Sequence, residues 1–150
     1  ELKLKPEKGY SFLRKGRSSE SGQIYHIVFS TEKRTKIFSD FNLARILINI
    51  FRSDQDMAYT ETFSYVVMPD HIHWLVRLNK RGISQSVQRI KSLFSKKTGL
   101  KIWNSGFYDH GIRTDESLVN VARYIVANPL RAGLVDKTGD YPHWDSIWLE

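Results

Sequence analysis

Apolar and polar residues recur along the chain with two different periods. Alternation with a period of two, which is typical of strands, is found in 23–31, 59–68 and 71–78. Apolar residues at helical spacing occupy three stretches, which begin near Ser39, Ile83 and Thr114 and end near Asp54, Gly99 and Ala127. Pro69-Asp70 predicts a turn that joins the second and third strands into a hairpin, and a short fourth strand is expected within 103–113.

This order of elements predicts the fold class. The sequence β-α-β-β-α-β with an added C-terminal helix is that of a ferredoxin-like split β-α-β, an α+β fold with an antiparallel sheet. A length of 150 residues suits one domain. Residues 1–22 are basic and rich in Gly and Ser, so we expect a basic N-terminal arm, and 23–150 are expected to form a single catalytic domain.

The third strand carries two histidines that need an explanation. Side chains alternate along a strand, so Ile72 and Trp74 share the apolar face, whereas His71 and His73 share the other face and are placed to hold one ion. Two surface histidines, or one buried and hydrogen-bonded histidine, would explain the pattern equally well. A metal would also need a third ligand from elsewhere in the chain.

The last predicted helix is the best source of that ligand. Tyr124 and Asn128 are four residues apart, so one turn presents a phenol beside an amide oxygen. Taken singly, Tyr124 is explained by an aromatic at the edge of the core, and Asn128 by a helix cap before Pro129. Together with the histidine strand, they suggest a nucleophile beside a metal.

Composition narrows the chemistry. The chain has no cysteine, which excludes disulfides, thiolate zinc sites and cysteine nucleophiles and leaves histidine, carboxylate or amide oxygen as metal ligands. A net charge of +7 favours a polyanionic partner, and nucleic acid is the first choice. No apolar run is long enough to span a membrane, so we expect a soluble intracellular protein.

The basic residues are clustered, which strengthens the prediction of nucleic-acid binding, although a solvated basic face would explain any one of them. The candidates for DNA contact are Arg14, Lys15, Arg17, Arg89, Lys91, Lys96, Lys97, Arg123 and Arg131. His26 and His143 are assigned no function.

Four segments carry a resemblance to a known family. They are LRKGRSSESGQIYHIVFST, MPDHIH, GFYDHGIR and RYIVANPLRAGLV, in this order, and the likeness runs from about Leu13 to Trp144. The chain resembles the REP-associated tyrosine transposases, bacterial members of the single-tyrosine HUH (His-hydrophobic-His) superfamily. It departs from them at Asp70, where members commonly have Asn, and at Trp74, where a smaller aliphatic residue is usual.

The resemblance implies a metal-dependent endonuclease and strand transferase that acts on hairpin-forming single-stranded DNA. It implies that His71, His73 and Asn128 hold Mg²⁺ or Mn²⁺ and that Tyr124 attacks the scissile phosphate to give a covalent 5′-phosphotyrosine. Asp70, His110 and Arg113 would support the site, His110 as a reserve candidate for proton transfer.

The resemblance also implies a bacterial, cytoplasmic and nucleoid-associated protein, either a monomer or a homodimer. Two other functions stay open. A non-catalytic regulator that binds hairpin DNA or RNA would need neither Tyr124 nor the histidines. A metal hydrolase that activates water would cleave DNA without the tyrosine.

Overall fold

The computed structural model describes residues 22–148, so the N-terminal arm lies outside the described residues except for Gly22. The strands are β1 (Ile24–Ser30), β2 (Thr60–Val67), β3 (His71–Leu78), β4 (Tyr108–Gly111) and β5 (Trp144–Ser146). The helices are α1 (Phe41–Asp56), α2 (Ile83–Thr98), α3 (Asp115–Val126) and the single turn α4 (Asn128–Arg131). Short 3-10 turns at Glu32–Arg34, Ile37–Ser39 and Thr138–Asp140 complete the structure.

The five strands form one antiparallel sheet in the order β4-β1-β3-β2-β5. The first four strands have the ferredoxin-like order, which confirms the predicted α+β class. Because β3 lies between β1 and β2, the strand that carries both histidines is central. Val28 of β1 lies opposite His73 in this register, and Ile27 lies opposite Trp74.

One face of the sheet packs against α1 and α2. Ile72, Trp74, Val76 and Leu78 all point to this side and are buried, as predicted from their alternation. The ring of Phe51 on α1 stacks on Trp74, with their centroids 4.8 Å apart. Full burial of one aliphatic side chain such as Ile72 is worth about 1.5–3 kcal/mol, so this layer fixes which way β3 faces.

The other face of the sheet is covered in part by α3. Leu118, Ala122 and Ile125, the predicted apolar stripe of this helix, are buried in a second cluster that includes Leu75 and Phe63. Thr114 caps the helix as predicted, since its hydroxyl accepts a hydrogen bond from the backbone N–H of Ser117 at 3.0 Å. The histidine face is therefore partly enclosed by a helix.

Three local features differ from the predictions. Asp40, rather than Ser39, caps α1, because Ser39 belongs to a preceding 3-10 turn. The short strand β5 was not predicted; it pairs with the outer edge of β2. The helix from Asp115 ends at Ala127 as predicted, but Asn128, which was expected one turn after Tyr124 on that helix, begins the separate turn α4. Within residues 22–148, no helix combines the length and apolar character needed to cross a membrane.

Candidate active site

The two histidines of β3 lie together on the face that α3 partly covers. The centroids of the His71 and His73 rings are 5.1 Å apart. His73 is buried, with 7% of its surface exposed, whereas His71 at the start of the strand is half-buried. The pair is placed as the alternation predicted, with one imidazole at the surface and one inside.

Asp70 and Arg34 flank His71. Oδ1 of Asp70 lies 2.7 Å from Nδ1 of His71, and Oδ2 accepts a hydrogen bond from Nε of Arg34 at 3.1 Å. Burial disfavours the ionised carboxyl group, but the hydrogen bonds and charges of His71 and Arg34 outweigh it and lower the pKa of Asp70. Nη2 of Arg34 also lies 3.3 Å from Nδ1 of His71, but the shorter contact is to the carboxylate. A carboxylate only accepts, so Nδ1 of His71 carries a proton, and in the neutral ring Nε2 has the lone pair.

The backbone conformation at Lys33 and Arg34 is unusual. Lys33 and Arg34 have φ values of 55° and 53°, in the left-handed region that non-glycine residues rarely adopt. Such conformations tend to occur at functional sites, where the surrounding structure holds them in place. Here they lie next to the Asp70–His71 pair.

His26 of β1 makes the corresponding contact to His73. Its Nε2 lies 2.8 Å from Nδ1 of His73, and the two ring planes are inclined by 24° with centroids 5.1 Å apart. Burial and the neighbouring His110 lower the pKa of His26 to about 4. Burial, followed by the charges of His26, His71 and other groups, lowers the pKa of His73 to about 3. Both rings are therefore neutral at pH 7.

Tyr124 faces this group from α3. Its ring centroid lies 5.8 Å from that of His73 and 6.3 Å from that of His26, and half of the residue is exposed. Arg131 holds the tyrosine in place: Nη2 donates to the Tyr124 carbonyl at 2.8 Å, and the guanidinium carbon lies 4.0 Å from the ring centroid. A phenol and a cation thus stand beside the two histidines.

Asn128 lies just beyond the end of the helix that carries Tyr124. Because the helix breaks at Ala127, Tyr124 and Asn128 do not share one continuous helix. The side-chain nitrogen of Asn128 is buried and has no hydrogen-bond partner among the described residues. Within residues 22–148, no group of three His, Asp or Glu side chains is arranged to hold a metal. A metal here would therefore need an amide oxygen, the phosphate or water beside the two imidazoles.

An open groove of about 550 Å³ runs past these residues. His73, His26 and Tyr124 line one part of it, and Tyr108 lies on the rim with 58% of its surface exposed. The ring of Tyr108 meets that of His26 edge-on, at 6.4 Å between centroids. This volume is large enough for a nucleotide, and an exposed aromatic ring is suited to base stacking.

Two of the predicted DNA-contacting residues have structural partners. The ammonium of Lys91 is buried and donates to the carbonyls of Asn104 and Gly106, at 2.9 and 2.7 Å. Arg89 donates through Nε to the buried Asp54 at 2.7 Å. We therefore expect the buried Lys91 to serve the fold. Arg89 is half-buried and lines a surface groove with Arg81 and Gln88, so it stays a candidate for DNA contact.

The remaining predicted residues are exposed or lie outside the described chain. Those at the surface are Lys96, Lys97, His110, Arg113, Arg123 and Arg131. Arg14, Lys15 and Arg17 fall outside residues 22–148. His110 lies opposite His26 in the β1–β4 ladder and so shares the histidine face.

His26 and Arg34 are the site residues that sequence reasoning missed. For His26 the sequence did contain a signal. Its side chain points away from the face of β1 that carries Ile27, and pairing of β1 with β3 then places it on the same face as His73. Arg34 has no such signal in the sequence, because the left-handed pair contains no glycine.

Residues 19–128 match the model of a protein family described as Transposase IS200 like. A Haemophilus influenzae protein assigned to the REP-associated tyrosine transposases is 28% identical over 149 residues, covering 85% of this chain and 81% of that protein. The REP-associated tyrosine transposase of Escherichia coli K12 is 33% identical over 85 residues, which are 55% of this chain and 52% of that protein.

The fold has a match among solved structures. The structure of a REP-associated tyrosine transposase bound to a REP hairpin aligns with a TM-score of 0.69 at 25% identity. The alignment covers 83% of this chain and 76% of the other. The resemblance predicted from the four sequence segments is thereby confirmed.

Proposed function

This chain belongs to the IS200-like transposase family, and we propose that it is a metal-dependent endonuclease and strand transferase for hairpin-forming single-stranded DNA. The observation that carries the proposal is the position of Tyr124. A half-exposed phenol stands 5.8 Å, between ring centroids, from a buried and neutral His73 in an open groove. A nucleophile beside candidate metal ligands is what strand cleavage by a tyrosine requires.

Tyr124 is the proposed nucleophile. Its phenolic oxygen attacks the scissile phosphorus, the bond from phosphorus to the 3′ oxygen breaks, and that oxygen leaves as a 3′-hydroxyl after gaining a proton. The product is a 5′-phosphotyrosine, and attack of a 3′-hydroxyl on it reverses the reaction or joins a new strand. Because the covalent link conserves the phosphoester bond, joining needs no nucleotide cofactor. Arg131 places a positive charge over the Tyr124 ring, where it can also attract the phosphate.

His71 and His73 fit a divalent ion such as Mg²⁺ or Mn²⁺. Asp70 leaves Nε2 of His71 with its lone pair, and burial keeps His73 neutral. When bound, such an ion polarises the phosphate and stabilises charge on the leaving oxygen. Asn128 remains the proposed third ligand. Its side-chain nitrogen is buried and has no hydrogen-bond partner among the described residues, which is consistent with that role.

The proposed substrate is DNA with hairpins like those of the related transposase. A structural relative is described as bound to a REP hairpin. The net charge of +7 and the exposed Lys96, Lys97 and Arg123 suit a phosphate backbone. Arg34, paired with Asp70 at the edge of the site, is a further candidate for contact with a phosphate.

A monomer suffices for this site. Tyr124 and His73 come together within one chain, which supports cleavage in cis and does not require exchange of the tyrosine helix between two subunits. The protein would act on chromosomal DNA in the bacterial cytoplasm.

Adduct formation tests the proposed function. The protein is incubated with Mg²⁺ or Mn²⁺ and labelled hairpin oligonucleotides taken from repeated palindromes in the DNA that flanks its coding region. We expect a protein–DNA adduct that survives denaturant, is lost in Tyr124→Phe and is retained in Tyr108→Phe, the matched change at the other groove tyrosine. Hairpin binding without any adduct would indicate a regulator, and cleavage that survives Tyr124→Phe would indicate a water-activating hydrolase.

A further inference from the structure

We infer that His26 is a positioning residue, which holds His73 in the tautomer that presents its Nε2 lone pair to the groove. This inference rests on the proposed function, since it assigns His73 to the metal. The contact that carries it is the 2.8 Å approach between Nε2 of His26 and Nδ1 of His73. A metal-binding imidazole usually has such an outer partner, which fixes its tautomer and the orientation of its ring.

A neutral imidazole has one N–H, so this contact permits two arrangements. If His73 donates through Nδ1, its Nε2 has a lone pair and can bind a metal. If His26 donates through Nε2, the proton of His73 must be on its own Nε2, and metal binding there is blocked. Only the first arrangement is compatible with the proposed site, and it requires His26 to be the Nδ1–H tautomer.

The second ligand of the pair supports the first arrangement. Nδ1 of His71 lies 2.7 Å from the Asp70 carboxylate, which only accepts, so the neutral form of His71 presents the lone pair of Nε2. Two ligands that share one ion need their lone pairs on the same side. His26 would then accept the Nδ1 proton of His73, as Asp70 accepts the Nδ1 proton of His71.

The sheet makes the contact between His26 and His73 a rigid one. His26 lies opposite Leu75, and two residues further along β1, Val28 lies opposite His73. His26 and His73 are therefore diagonal neighbours on the same face of the sheet. Diagonal neighbours on adjacent antiparallel strands are within reach of each other's aromatic side chains. The ring planes of this diagonal pair are inclined by 24°.

An imidazole is also a suitable acceptor for this position. A carboxylate would accept the same proton, but it would add a second negative charge to a groove that must receive a phosphate. The pairing found here supplies one charged acceptor, at Asp70, which Arg34 neutralises, and one uncharged acceptor, at His26. The groove thereby orients two ligands without repelling the substrate.

Nitrogen NMR of the histidine rings tests the tautomers directly. In the metal-free protein labelled with ¹⁵N-histidine, we expect His73 to show a protonated Nδ1 and an unprotonated Nε2. His71, whose tautomer the Asp70 carboxylate sets, is the internal reference. A protonated Nε2 on His73 in wild type would overturn the inference, and this readout depends on neither DNA nor metal.

Affinity for Mn²⁺ provides the second readout. We expect His26→Leu to weaken Mn²⁺ binding about 10- to 100-fold. His26→Gln, whose amide oxygen can accept the same proton, should recover most of that loss. His143→Leu removes another buried imidazole, away from the groove, and should leave the affinity unchanged. Thermal unfolding of each variant verifies that it is folded.

The outcomes of these tests are distinguishable. Equal Mn²⁺ affinity in wild type and His26→Leu, or a loss that His26→Gln fails to restore, would overturn the assigned role. If wild type binds no Mn²⁺, the metal dependence in the proposed function fails, and the NMR result still decides whether His26 sets the tautomer.

Discussion

Oδ1 of Asp70 lies 2.7 Å from Nδ1 of His71, and the same carboxylate pairs with Arg34 through Oδ2 at 3.1 Å. One acidic side chain, placed by the β2–β3 turn, therefore fixes a candidate metal ligand and a candidate phosphate-binding cation. At this turn position the resemblance to the REP-associated tyrosine transposases led us to expect Asn. The charge of Asp70 is thus a feature whose effect can be measured.

Asp70→Asn should weaken Mn²⁺ binding by about tenfold, because an amide is a poorer acceptor for the Nδ1 proton of His71 and lacks the charge that raises its basicity. Isothermal titration of the folded variant measures this. Asp109→Asn, which changes an exposed carboxylate on β4, is the matched control and should leave the affinity unchanged. An unaltered affinity in Asp70→Asn would show that the carboxylate does not support His71.

Lys33→Gly should raise the free energy of unfolding by about 0.5–1 kcal/mol. A left-handed conformation costs a non-glycine residue roughly 1–2 kcal/mol, and the entropy of glycine in the unfolded chain offsets part of the gain. Lys36→Gly, at φ −81°, relieves no such conformation and should lower stability slightly. Urea unfolding of the two variants compares them, and equal changes would contradict the explanation.

Lys91→Met should destabilise the fold by about 1.5–3 kcal/mol, because the backbone carbonyls of Asn104 and Gly106 lose a charged hydrogen-bond donor. Lys97→Met, on the same helix but exposed, should leave stability within about 0.5 kcal/mol. It should instead weaken hairpin binding, and the slope of log binding constant against log salt concentration should become shallower by about one. If Lys91→Met weakened hairpin binding and left stability unchanged, Lys91 would be a DNA-contacting residue.

Acid should destabilise the metal-free protein through the paired histidines. Burial lowers the pKa of His26 to about 4 and that of His73 to about 3, from 6.5 in both cases. Below pH 6.5 these two histidines are therefore protonated in the unfolded chain but remain neutral in the folded chain. The free energy of unfolding should fall from pH 6.5 towards pH 4, by about 1.4 kcal/mol per pH unit for each histidine, and not change from this cause above pH 7.

Urea unfolding in EDTA across this pH range measures the acid effect. His26→Gln removes one of the two titrating groups and should make the slope shallower. A slope that His26→Gln leaves unaltered would mean that other groups cause the acid sensitivity.

Much of the fold could be predicted from local sequence patterns. The alternation in β3 separates Ile72 and Trp74 from the histidines, and the helical spacing of α3 places Leu118, Ala122 and Ile125 in the core. Both patterns reflect the burial of apolar side chains, which is the main driving force of folding. The order of strands and helices then sufficed for the fold class.

The site was only partly predictable, because its key contacts join residues distant in sequence. The approach of His26 to His73 depends on the β1–β3 register, which no local pattern specifies. Lys91 occupies the polar side of a helical pattern, and only the tertiary structure shows that its ammonium is buried and reaches two backbone carbonyls. The break at Ala127 separates Asn128 from Tyr124 although helical spacing had joined them.

The central claim, that Tyr124 forms the covalent link to DNA, is tested most directly by mapping the adduct. Trypsin cleaves after Arg123 and Arg131, and the peptide 124–131 between these sites contains Tyr124 as its single tyrosine. After nuclease and trypsin digestion, mass spectrometry should find this peptide carrying a 5′-phosphorylated nucleotide remnant. The same remnant on peptide 102–113, which contains Tyr108, or on any histidine peptide, would contradict the account.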